Sequence, residues 1–80
     1  MVPKKAKPYS PEAVKLGDAI RRRRQAIKVS QDEFADMAGM HRSYIGFVER
    51  GMQNLTLDTM TRVAKALKVS LAVLVKEAGI

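Results

Sequence analysis

Between His41 and Arg50 the chain places a histidine, two arginines, a serine, a tyrosine and a phenylalanine in the segment HRSYIGFVER. Covalent chemistry does not follow from such a set. The sequence shows no nucleophile–base arrangement, no glycine-rich phosphate loop and no cysteine, and His41 is the only histidine. His41 is therefore a poor metal ligand, and neither a cofactor nor a catalytic residue is expected. What these side chains offer is recognition. The planar fork of Arg42 can bind guanine O6 and N7 together, a contact worth roughly 1–3 kcal/mol of discrimination; the alternative is an ordinary solvated arginine. Ser43 is short and reaches a base or phosphate only if its element sits deep. His41 can donate or accept at a base edge, or cap a helix. Tyr44 can extend its hydroxyl to a phosphate or pack its ring inward. Phe47 has no polar tip, so it meets a thymine methyl or joins the core.

Those side chains act together only if a rigid element presents them. The stretch QDEFADMAGMHRSYIGFVERG, Gln31 to Gly51, reads as two short helices joined by a tight turn. Ala35 stands where two helices would cross closely. Gly39 stands where the chain must reverse, with the positive φ that glycine adopts without a Cβ clash. Phe34, Ala38, Met40, Ile45 and Val48 are apolar at positions facing a shared core. This is the pattern of a helix-turn-helix, whose second helix typically enters the major groove of DNA. Gly46, inside that second helix, costs about 1 kcal/mol relative to alanine. Either close approach to a DNA backbone or to a partner helix compensates, or the cost is simply tolerated.

The chain has 80 residues and a formal charge of +7, enough for one small domain with a thin core. Charge is uneven: residues 1–28 carry +7, residues 29–51 carry −2 and residues 52–80 carry +2. The positive field therefore arises mainly outside the helix-turn-helix. A polyanion is the natural partner for such a field, although net charge also serves solubility. Asp32, Glu33 and Asp36 fall on an amphipathic helix, where acids solvate or cap. The longest apolar run, Leu71 to Val75, is far short of a membrane span, and no signal peptide is evident. A cytoplasmic protein without membrane association is expected.

Residues 1–9, MVPKKAKPY, combine prolines with lysines and read as a flexible basic arm; Lys4, Lys5 and Lys7 could follow a groove. Residues 10–80 form the folded domain. Ser10 caps a first helix that starts at Pro11 and fades near Ile27, with Val14, Leu16, Ala19, Ile20 and Ile27 on its inner face. Ser30 and Glu33 form a capping box for the second helix. The third runs from about His41 to Arg50 and is closed by Gly51. Thr56 opens a fourth, with Leu57, Met60, Val63, Ala64 and Leu67 as its buried stripe. Ser70 caps a fifth, Leu71 to about Ala78. The expected fold is all-α, a compact five-helix domain.

Taken together, LGDAIRRRRQAIKVSQDEFADMAGMHRSYIGFVERG and NLTLDTMTRVAKALKVSLAVL resemble the lambda-repressor/Cro-like (XRE) helix-turn-helix family. The segment HRSYIGFVERGMQNLTLDTM is similar to the controller proteins of restriction–modification systems, and also to phage-type regulators and some antitoxins. The resemblance implies a five-helix domain that binds a palindromic operator in double-stranded DNA as a homodimer. It implies that His41, Arg42 and Ser43 face base edges, with Phe47 one turn further along. It implies phosphate contacts from Gln31, Tyr44 and Arg50, and a partly buried ion pair between Arg24 and Glu49. Position supports that pair, because Arg24 follows Leu16 and Ile20 by steps of four. Arg21, Arg22 and Arg23 are then left for phosphates or solvent, Arg21 foremost.

The fifth helix is apolar on more than one face. With Leu71 and Leu74 directed to the core, Val73, Val75 and Ile80 need cover, which an isologous dimer would supply. The rival reading is an antitoxin-type module that covers a toxin and regulates its own operon. The toxin would then use the fifth helix or the arm; RNA polymerase is the alternative protein partner.

Overall fold

The computed structural model describes residues 7–80. Lys4, Lys5 and most of the expected arm lie outside the described residues. Within the arm's last part, the Tyr9 amide donates to the Gly51 carbonyl at 2.7 Å, tying the chain to the end of the helix-turn-helix before the first helix starts. Among the described residues there are five helices and no strand: α1 Pro11–Ala26, α2 Gln31–Ala38, α3 Arg42–Glu49, α4 Leu57–Ala66 and α5 Leu71–Ala78. None is long and apolar enough to cross a membrane.

Local chemistry sets the starts. The hydroxyls of Ser10, Ser30, Thr56 and Ser70 each accept from the amide three residues on, satisfying a donor that the first turn leaves orphaned. At Ser30 the box is complete, since the Glu33 carboxylate accepts from the Ser30 amide at 3.0 Å. That bond holds the Glu33 carboxyl below its ordinary pKa. α3 is the exception. His41 is its N-cap rather than its first helical residue, and its side chain makes no capping bond.

The ends of α1 to α4 share one device. After α1, Lys28 has φ 59°, its amide donates to Gln25 and the Val29 amide reaches back to Arg24. After α4, Lys68 has φ 62° and the same two bonds run to Lys65 and Ala64. These are Schellman closures with lysine in the left-handed position where glycine is usual. Both lie in the tripeptide Lys-Val-Ser, at 28–30 and 68–70. In each copy the valine packs against the core and the serine caps the next helix. Gly39 (φ 68°) and Gly51 (φ 75°) close α2 and α3 in the same way.

α1 packs against α3 and α5, α2 against α3 and α4, and α4 against α5. Leu16, Ala19 and Ile20 of α1 meet Phe34 and Ala35 of α2, Ile45 and Val48 of α3, Val63, Ala64 and Leu67, and Leu74 in one buried cluster. Three members of the expected stripes lie outside it. Val14 and Ile27 are substantially exposed, and Leu57 is 67 % exposed at the first position of α4, one turn before the packed Met60. A helical period places a residue on a face, but the neighbouring helices must extend far enough to cover it. Gly17 shows how close α1 and α3 approach: a Cβ there would stand 2.2 Å from the Val48 carbonyl oxygen.

Candidate nucleic-acid interface

α3 is held by its inner side and its C-terminal end. Ile45 and Val48 are buried, and Glu49, its last residue, is buried although charged. An acid at a helix C-terminus opposes the macrodipole, so burial there requires strong partners. Arg24 supplies a bidentate fork, with Nε 2.6 Å from Glu49 Oε2 and Nη2 2.9 Å from Oε1. Its third nitrogen, Nη1, donates to the Val29 carbonyl at 3.0 Å. The amide of Gln31 adds a bond to Glu49 Oε1 at 3.1 Å. The hydrogen bonds to Glu49 hold the Arg24 guanidinium above its ordinary pKa. One carboxylate thereby joins the end of α1, the start of α2 and the end of α3.

The outer side of α3 carries the recognition candidates. His41, Arg42 and Ser43 are exposed side by side at its N-terminal end. Phe47, half-buried, lies one turn on, with the Arg50 guanidinium carbon 5.3 Å from its ring centroid. Arg50 also donates from Nε to the Gly46 carbonyl at 3.2 Å. Tyr44 is half-buried with its ring packed against the core, so its inward alternative describes the ring. Arg42 is paired: its Nε lies 3.1 Å from Asp32 Oδ1 on α2.

Gln31, Arg21 and Arg50 line one shallow depression with Gly46 and Glu49. Three residues considered for phosphate contact are thus neighbours around the glycine of α3. That glycine is not required by the fold, since a Cβ would find its nearest atoms, Arg50 Nη2 and Gln31 Oε1, at 3.9 Å. Glu49 gives the depression an acidic member, and Gln31 spends one amide hydrogen on it. Arg21 also pairs with Asp18, which Arg22 shares through Nε at 2.9 Å. Arg23, its side chain 35 % exposed, does not line this depression. It joins α1 to α5 through a two-point contact with Glu77, at 2.7 and 2.5 Å. This contact raises the Arg23 pKa and lowers that of Glu77.

One positioning residue escaped the sequence reading. Arg62 of α4 donates through Nη2 to the carbonyls of Ala38 at 3.0 Å and Gly39 at 2.9 Å. A cation on the orphaned carbonyls at the end of α2 suits both their hydrogen-bonding needs and the helix dipole, and it steadies the turn that aims α3. The only available signal was that those carbonyls needed donors. For α5, Val73 and Ile80 are exposed while Val75 is half-buried.

Comparison with known proteins agrees with this geometry. The helix-turn-helix family model matches residues 20–74. The chain is 40% identical over 65 residues to the control protein C.SmaI of Serratia marcescens, covering 81% of this chain and 77% of that protein. Among solved structures it is similar to the restriction–modification controller C.AhdI of Aeromonas hydrophila, with TM-score 0.78, 37% identity and coverage of 81% of this chain and 98% of the other. It also superposes on C.Esp1396I bound to a 25 base pair operator site, with TM-score 0.76 and 27% identity over 84% of this chain and 88% of the other. The chain belongs to the helix-turn-helix family of lambda-repressor/Cro-like (XRE) type, among relatives that are restriction–modification controller proteins.

Proposed function

We propose that this DNA-binding regulator of the controller type, which is not an enzyme, reads a palindromic operator as a homodimer with α3 in the major groove. The observation that carries the reading is the division of α3 into two sides. Ile45, Val48 and Glu49 are locked inward, while His41, Arg42 and Ser43 are presented outward at the end that would enter first. In this reading His41, Arg42, Ser43 and Phe47 contact base edges. Gln31, Arg21 and Arg50 seat a phosphate over Gly46, and Tyr44 reaches the backbone with its hydroxyl alone. Attraction comes mainly from α1 and the N-terminal lysines, because residues 29–51 are net negative.

The exposed Val73 and Ile80, flanking the half-buried Val75, support pairing through α5. An isologous pair would place two copies of α3 about 34 Å apart on one face of the duplex. No observation favours a toxin-covering role. Sedimentation of the protein with and without duplex DNA tests the assembly. A dimer on DNA is expected, and a monomer in both states would contradict it.

A further inference from the structure

Of the four carboxylates in the helix-turn-helix segment, two have structural work: Glu49 ties three helices together and Glu33 caps α2. Asp32 does neither. It faces Arg42, with Oδ1 3.1 Å from Nε, and both side chains are open to solvent at 73 % and 67 % exposure. An exposed pair of this kind contributes little to folding. A carboxylate on the face that would meet a phosphate backbone also subtracts from the attraction to DNA. In the first turn of α2 Asp32 complements the helix dipole, as any carboxylate there would; what sets it apart is its place beside the principal base-reading candidate.

The geometry points to Asp32 as a positioning residue that sets the sequence preference of Arg42. Its closest approach is to Nε, a donor not used when guanine O6 and N7 are met by the two terminal amino groups. Asp32 therefore restrains the guanidinium while leaving that end-on mode open. It also limits the rotamer freedom that Arg42 would otherwise lose on binding. Away from guanine, the same carboxylate repels phosphates and weakens attachment to arbitrary sequence. Asp32 thus trades general affinity for discrimination. This rests on the proposed base contact of Arg42, and the test separates the two.

The probes are a duplex enriched from a random pool by the unaltered protein, its single-base-pair variants, and random-sequence duplex. Asp32→Asn keeps the shape and removes the charge. It is expected to tighten binding to random duplex several-fold and to reduce the preference at the base pair that Arg42→Ala relaxes. In an Arg42→Ala background, Asp32→Asn should leave that preference unchanged. Preference is a ratio measured on one protein, so a change in folded fraction cancels. Equal tightening on every duplex, with the preference intact, overturns the positioning role and leaves the Arg42 contact standing. If Arg42→Ala relaxes no position, the base contact fails and the inference fails with it.

Discussion

Two arginine–carboxylate pairs of opposite character meet at the helix-turn-helix, one tying it to α1 and one lying within it. Arg24 and Glu49 are 11 % and 3 % exposed, bidentate, and joined by Gln31 and the Val29 carbonyl. Arg42 and Asp32 are 67 % and 73 % exposed and meet at a single 3.1 Å approach. The chemistry is the same, and solvent decides its use. Out of water, each charge depends on its partner, so the first pair fixes where α3 leaves the core. In water the pair contributes little to folding, and an approach through Nε leaves the terminal amino groups of the second arginine available to another acceptor. An arginine that holds the reading helix must be buried, and an arginine that reads must not be.

The strongest way to break the contrast is to strand one charge. Glu49→Ala leaves the Arg24 guanidinium buried without its carboxylate and should cost about 3–5 kcal/mol, read as a loss of thermal or urea stability. A loss below about 1 kcal/mol would place this pair with the exposed one. Arg42→Ala should leave the melting temperature nearly unchanged yet remove roughly 1–3 kcal/mol of discrimination at one base pair per half-site. Competition between operator variants measures it, and equal loss on specific and random DNA would argue against direct readout.

Gly46 lies between the two pairs and has room for a Cβ. Gly46→Ala should therefore stabilise the free protein by about 1 kcal/mol while weakening its binding to DNA. Stability and affinity that rise together would remove the phosphate seat from the account. The smallest effect concerns Glu33. Its folded pKa is lowered from 4.5 by the Ser30 amide, so its contribution is present above that value and lost as pH falls through the depressed folded value. The melting difference between the unaltered protein and Glu33→Ala should shrink in acid; a difference independent of pH would contradict the capping role.

Features that depend on a few neighbouring residues were legible in the sequence. The caps at Ser10, Ser30, Thr56 and Ser70, the left-handed Gly39 and the inner faces of α2 and α3 follow from local rules. The all-α architecture followed from them, and the family from the resemblance of two long segments of the sequence. What escaped were contacts spanning long stretches of chain. Arg62 on the turn at Gly39, Arg23 on Glu77 and the tight seam at Gly17 leave no periodic trace. Lys28 and Lys68 in left-handed conformation were hidden because lysine is not the residue that such a position announces. The exposure of Leu57 was missed because a stripe records which residues share a face, not where the face stops being covered. At the interface, residue types pointed to Arg42, but its partner Asp32 emerged only when α2 and α3 were placed side by side.

The central claim is that α3 reads sequence, twice, in a symmetric pair. Selection of bound duplexes from a random DNA pool tests it most directly. The account predicts enrichment of an inverted repeat whose half-sites are about one helical turn apart, roughly 34 Å centre to centre. A pool that stays random after repeated rounds, or that converges on a lone unpaired half-site, would contradict it.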